Sequence, residues 1–164
     1  MMNLSAERRV IKAVNDLSIT IKTGSARETI EAGKKIGARL KGGDIVAFKG
    51  GLGAGKTTIT RGITMGIGLD DVAFSPTFAL VNEYINPQGA NVYHFDMYRI
   101  SADELESIGF YDYLGEDSII LIEWSENIDD ALPEDVITVE IERLSDEERL
   151  IKVSGGERFA DIGN

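Results

Sequence analysis

The sequence predicts an α/β fold built on a mixed sheet, and three observations carry that reading. Two short runs, "IVAF" (45–48) and "SIILIEW" (118–124), are almost continuously apolar, as in strands covered on both faces. Other segments, such as "LSITIK" (17–22) and "DVITVEIERL" (135–144), alternate apolar and polar residues with the two-residue period of half-buried strands. Between them lie stretches whose small and apolar positions recur at three and four, the spacing of an amphipathic helix. Strands of both kinds mixed with helices indicate layers around one sheet.

Residues 1–16 read as an N-terminal extension and 17–164 as the domain; within the first, "AERRVIKAVNDL" suggests a short helix. "LSITIK" is a half-buried strand. A helix follows from Ser25, a candidate N-cap with Glu28 three residues on, the capping-box spacing. Its apolar and small positions, 26, 29, 30, 33, 36, 37 and 40, share one face, and "KGGD" ends it. "IVAF" is a buried strand, and a second helix runs over 56–67 although Gly62 and Gly66 are poor helix formers, so tertiary contacts must support it. "FALVNEYI" and "NVYHFDMY" pair as a hairpin around "NPQG". "SADELESIGF" predicts a helix capped by Ser101, with Glu104 three residues on. "SIILIEW" is another buried strand, and "DVITVEIERL" and "RLIKVSG" close the chain as strands joined near "SDEE".

With 164 residues, the chain is one domain of common size with enough apolar residues, 43%, for a substantial core. It contains no apolar run of membrane-spanning length, no signal-peptide pattern at its start and no cysteine, which fits the cytoplasm. The net charge of −11 is concentrated: Glu123–Glu148 holds eleven acidic residues against one arginine. Such a segment is a solvated face or a docking face for a basic protein. Broad adhesion to a nucleic-acid backbone, which needs clustered Lys and Arg, is disfavoured.

"GGLGAGKTT" (50–58) supplies the chemistry. It matches G-x-x-x-x-G-K-[ST] through Gly50, Gly55, Lys56 and Thr57, between a buried strand and a helix, the context the motif requires. Residues Gly51, Leu52, Gly53, Ala54, Gly55 and Thr58 would cradle phosphates with backbone N–H groups at the positive end of the helix. Lys56 would reach the outer phosphates, and the Thr57 hydroxyl would ligate Mg²⁺. Two strands end in acids, at Asp96 and Glu123, and either could serve the metal or place water. Thr77, in the Ser-Pro-Thr loop "FSPTF" (74–78), is a candidate γ-phosphate sensor. Trp124, the only tryptophan, either covers a nucleotide or a partner surface or packs in the core, and His94 reads as structural. No N-K-x-D stretch is present, so adenine is favoured over guanine.

Taken together, "GGLGAGKTT", "SPTFALVNEY", "YHFDMYR", "ELESIGFYDYL" and "LIEWSE" resemble the TsaE (YjeE) family over roughly residues 20–145. The resemblance implies a three-layer P-loop NTPase fold with a mixed, mostly parallel central sheet and antiparallel strands at the edge. It also implies ATP/ADP and Mg²⁺ as ligands, and weak ATP hydrolysis stimulated by partners. The partners implied are the TsaB–TsaD pair, which modifies tRNA to threonylcarbamoyladenosine, so tRNA would be met only indirectly. The free chain would be a monomer without a membrane. By position, Lys56 and Thr57 fall on the family's phosphate and magnesium residues, Glu123 on its magnesium-associated acid, and Asp96 on its hydrolytic aspartate. Thr77 lies in its "SPT" loop and Trp124 in its "EW" pair; Ser25–Thr29 matches the segment expected near adenine. Two positions depart from the family pattern: Gly51 stands where aspartate is common, and Ser125 where proline is usual. The competing readings are a small-molecule kinase and a nucleotide-dependent binding module. A kinase usually carries an arginine-rich lid, yet Arg99 is the only arginine between Arg61 and Arg143.

Overall fold

A computed structural model describes residues 17–70 and 80–163. The expected N-terminal extension and the "FSPTF" loop with Thr77 lie outside the described residues. Seven strands form one sheet: β1 (Ser18–Thr23), β2 (Ile45–Lys49), β3 (Val81–Tyr84), β4 (Asn91–Asp96), β5 (Ser118–Glu123), β6 (Ile137–Arg143) and β7 (Arg149–Ser154). Their spatial order is β1-β7-β6-β2-β5-β4-β3. The central strands β6, β2, β5 and β4 run parallel, while β3 and the β7–β1 pair are antiparallel additions at the two edges. The mixed sheet expected from the two kinds of strand is therefore present, with both hairpins in place.

The apolar run of β5 divides its side chains between two cores. Ile119 and Leu121 face the α-helices, and Ile120 and Ile122 face the opposite layer. Helices α1 (Ala26–Gly37) and α2 (Lys56–Ile67) cover the first face. Ser25 caps α1 as expected: its hydroxyl accepts from the Glu28 amide at 3.1 Å. The Glu28 carboxylate reaches back to the Gly24 amide at 2.6 Å, one residue earlier than in the usual capping box.

The two helices cross through glycine. A methyl added at Gly33 would lie 2.5 Å from the Ile59 carbonyl oxygen, and one at Gly62 would lie 2.2 Å from that of Ile30. Gly37 and Gly66 meet the facing helix as closely. These residues weaken the helices locally but let the backbones touch, which is the tertiary support that α2 requires.

Among the described residues the second face is covered by 3₁₀ helices (Ala102–Glu104, Phe110–Tyr113 and Ser125–Ala131) rather than by α-helices. This corrects the helix expected over "SADELESIGF". Ser101 Oγ engages the Glu104 side chain at 3.0 Å and makes no side-chain cap to the backbone. Leu105 and Phe110 both enter the second core, although five residues apart they would point about 140° apart around an α-helix. The chain turns instead, with Gly109 at φ +75°. Phe110 then meets Phe95 edge-on at 5.2 Å.

Candidate functional site

The sheet topology gathers one edge. Since β2, β4, β5 and β6 are parallel, their C-terminal ends lie together, the position at which open α/β sheets bind ligands. β1 also ends there, because Thr23 pairs with Arg149 at the start of antiparallel β7. The loop after β2, the start of α1, the acids ending β4 and β5, and the β6–β7 turn thus share a single rim.

The loop has the geometry that its glycines predict. Gly50 (φ +152°), Gly53 (φ +73°) and Gly55 (φ +109°) adopt left-handed backbone, which side-chain-bearing residues rarely enter. Gly50 is also pressed against β6, where a methyl would lie 2.6 Å from the Ile141 carbonyl oxygen. Gly55 is the N-cap of α2 and provides no side-chain cap. The first amide N–H groups of α2 have no intrahelical partner, a geometry suited to an anion.

A cavity of about 350 Å³ is lined by Leu52 through Thr58, Glu123, Trp124 and Arg149. It brings together most of the residues singled out in the sequence. Lys56 Nζ rests 4.2 Å from the centre of the Trp124 ring, and the Tyr98 and Trp124 ring centroids lie 4.9 Å apart. Glu123 is almost fully buried, with its carboxylate 3.8 Å from His94 Nε2. Asp96 is its register partner on β4, and its Oδ1 accepts from the Tyr98 amide at 2.9 Å. Thr57 and Glu123, two hard oxygen donors lining one cavity, suit Mg²⁺, which favours oxygen ligands and takes few from protein. Among the described residues no cluster of three or more His, Cys, Asp or Glu could hold a metal unaided.

Trp124 is the only non-glycine described residue with positive φ, at +57°. This costs about 1–2 kcal/mol, so the turn must be held from outside. Ser125 Oγ, fully buried, donates to the Phe48 carbonyl at 3.1 Å, one residue before Lys49 and the loop. Asn127 Nδ2 donates to the Met97 carbonyl at 2.7 Å and to that of Tyr98 at 3.1 Å. Lys49 pairs with Asp129 at 2.9 Å. Ser125 thereby ties the Glu123–Trp124 turn to the strand carrying the phosphate loop. At the other departure, Gly51, a side chain would meet open space.

A second cavity of about 250 Å³ adjoins the first through Gly55, Thr58 and Arg149, and is otherwise lined by Ala26, Thr29, Asp146 and Glu147. Thr29 is buried there, with its hydroxyl 2.7 Å from that of Thr23. Ser25 spends its hydroxyl on the helix cap and lines a neighbouring groove instead. The sequence reading passed over Arg149, Tyr98 and the Asp146–Glu147 turn. Only the antiparallel return of β7 beside β6 brings them to the rim, and no short motif marks that.

Fold and site together define a P-loop α/β protein. Comparison with known proteins narrows the class. The sequence profile described as "Threonylcarbamoyl adenosine biosynthesis protein TsaE" matches residues 23–151. A Bacillus subtilis protein named tRNA threonylcarbamoyladenosine biosynthesis protein TsaE is 36% identical over 87% of this chain and 85% of its own length. The Haemophilus influenzae protein of the same name is 50% identical over 62% of this chain and 65% of its own. The crystal structure of Bacillus subtilis YdiB superposes with a TM-score of 0.68 at 31% identity, covering 89% of this chain and 91% of that one. The chain belongs to the TsaE family.

Proposed function

We propose that the protein is a Mg²⁺-dependent, intrinsically slow ATPase that acts as an accessory subunit in threonylcarbamoyladenosine modification of tRNA. In this role it would remodel a TsaB–TsaD complex between rounds. The observation that carries the proposal is a single cavity lined by the phosphate loop, Lys56, Thr57 and Glu123, with Asp96 paired beside Glu123. Family membership supports the tRNA-modification role.

In this reading the loop amides and the start of α2 hold the β- and γ-phosphates. Lys56 leaves the Trp124 ring to neutralise them as a mobile point charge. Thr57 and Glu123 would hold Mg²⁺, which when bound offsets charge on the phosphate oxygens. Asp96 keeps one carboxylate oxygen on the Tyr98 amide and has the other available to orient a water molecule. Among the described residues no helix is long and apolar enough to cross a membrane, and the proposed setting is the cytoplasm.

The deciding measurement is ATP hydrolysis with and without TsaB–TsaD, together with a pull-down comparing ATP with ADP. Stimulation by the pair and nucleotide-dependent capture are expected. Lys56→Ala should weaken nucleotide binding, and Glu123→Ala should abolish Mg²⁺ dependence. No stimulation, together with normal tRNA modification in cells carrying Lys56→Ala, would sink the proposal.

A further inference from the structure

Two segments leave the rim side by side, one following Asp96 at the end of β4 and one following Glu123 at the end of β5. Asn127, in the 3₁₀ helix Ser125–Ala131, joins them. Its Nδ2 donates to the Met97 carbonyl at 2.7 Å and to the Tyr98 carbonyl at 3.1 Å. Both hydrogens of the side-chain amide are thereby used, and two carbonyl acceptors fix which of its ends is nitrogen. The helix is itself anchored to β2, through the Ser125 bond to Phe48 and the Asp129 pair with Lys49. Asn127 therefore holds the segment after β4 against the strand that carries the phosphate loop.

The bond to Met97 matters most. The Met97 carbonyl and the Tyr98 N–H belong to one planar peptide group, so they turn together. That N–H donates to Asp96 Oδ1 at 2.9 Å. A chain of hydrogen bonds thus runs from the Asn127 amide, through one peptide, to the Asp96 carboxylate, and each bond in such a chain polarises the next. On the other side of Met97, its own N–H donates to the Glu123 carbonyl at 3.0 Å. Both peptides flanking Met97 are therefore tied to the segment from Glu123 to Asn127. Asn127 is exposed and fills no core position, so the fold uses its bonds and not its bulk.

We propose that Asn127 is a positioning residue for hydrolysis: by fixing the plane of the Met97–Tyr98 peptide, it sets the Asp96 carboxylate whose second oxygen orients water. This rests on the reading of the cleft as an ATPase site with Asp96 beside the water. Asn127 touches neither nucleotide nor metal in this arrangement. Its contribution falls on the chemical step, where a small displacement of the orienting group lowers the rate, and not on nucleotide binding. The Ile100 amide also reaches the Met97 carbonyl, at 3.2 Å, so losing Asn127 loosens the peptide without freeing it. The expected effect is accordingly smaller than that of removing the Asp96 carboxylate itself.

Two measurements on the full chain test this: the single-turnover rate of ATP hydrolysis at saturating protein and Mg²⁺, and ADP affinity by displacement of a fluorescent ADP analogue. Asn127→Ala should slow hydrolysis about threefold to tenfold, the scale of one neutral hydrogen bond, and leave the Kd for ADP within about twofold. Asn127→Asp keeps the shape of the side chain but, ionised, has no hydrogen to donate, and should lose at least as much rate. In nucleotide-free protein the Tyr98 amide proton resonance should move upfield in both variants as its bond to Asp96 loosens. A wild-type rate in either variant overturns the assignment, as does a rise in the ADP Kd by the same factor as the rate falls. An unmoved Tyr98 resonance overturns it too. A wild-type chain that hydrolyses no ATP overturns the ATPase reading itself, a result distinct from the others because the Tyr98 resonance is read without nucleotide.

Discussion

Replacing Gly62 by alanine is expected to destabilise the protein, although alanine is the better helix former. At an exposed helical site the exchange gains about 1 kcal/mol, part of it by restricting the unfolded chain. At Gly62 the new methyl would lie 2.2 Å from the Ile30 carbonyl oxygen and 3.0 Å from the Gly33 Cα. Both obstacles are backbone, so no side-chain rotation relieves them. To restore ordinary contact the helices must part by about 1 Å, and a gap of that order forfeits roughly a quarter to a half of the dispersion energy of the contacts it opens. Gly33, Gly37 and Gly66 meet the facing helix as closely, so the loss spreads along the crossing. Overpacking of this kind costs about 1–3 kcal/mol, and backbone obstruction puts Gly62 toward the upper end. After the propensity gain a net loss of about 1–2 kcal/mol remains, or roughly 3–6 °C in Tm for a domain of this size. Thermal melting by circular dichroism and a urea titration with unchanged slope would read it. Gly51→Ala is the control, since its side chain enters open space and should shift stability by no more than about 0.5 kcal/mol. A Gly62→Ala protein melting at or above wild type would refute the close crossing.

Three further outcomes are expected. Ser125→Ala removes the buried donor to the Phe48 carbonyl and should cost about 1–2 kcal/mol in urea unfolding; the Mg²⁺ concentration for half-maximal ATPase should also rise, because Glu123 sits on the turn that this bond holds. Lys56→Met should change the emission of Trp124, the only tryptophan, by removing an ammonium 4.2 Å from its ring, and wild-type emission should move the same way when nucleotide draws Lys56 off; identical spectra would discount that contact. The Lys22 side chain, then the Ser145 hydroxyl, hold the Glu148 carboxyl below the ordinary glutamate range. A lowered folded-state value stabilises the protein above the ordinary glutamate pKa, and that increment disappears as pH falls through the lowered value. Carboxyl NMR should show Glu148 titrating low in wild type and closer to ordinary in Lys22→Gln, with no change counting against the pair.

Much of this molecule was legible because its signals are local. The phosphate loop needs only glycines where the backbone turns left-handed, and Gly50, Gly53 and Gly55 supply them in sequence order. The cap at Ser25 and the two hairpins follow from spacings of three and from turn residues. Two features lay beyond reach for different reasons. The segment after Ser101 carries every helix-starting signal, yet tertiary demand overrides them, since Leu105 and Phe110 must both enter one core. The value of Gly62 and Gly66 was hidden because a glycine's cost is intrinsic to its own helix, whereas its benefit lies in the helix that crosses it.

The rim shows the same limit at the level of function. Glu123 and Asp96 each end a strand and look alike in sequence, but the fold separates them. Glu123 is buried in the cavity that Thr57 lines, while Asp96 keeps a hydrogen bond to the Tyr98 amide beside it. That difference favours Glu123 for the metal and Asp96 for water, and it predicts distinct defects. Glu123→Gln should shift the Mg²⁺ dependence of hydrolysis strongly and nucleotide affinity in the presence of Mg²⁺ as well. Asp96→Asn, which retains a hydrogen-bond acceptor for Tyr98, should leave Mg²⁺-dependent ADP affinity within about twofold and lower turnover by about 10²–10⁴-fold, the range for losing a positioned base. Equal losses of ADP affinity in both variants would show that the two acids share the metal, and the division of roles along this edge would have to be redrawn.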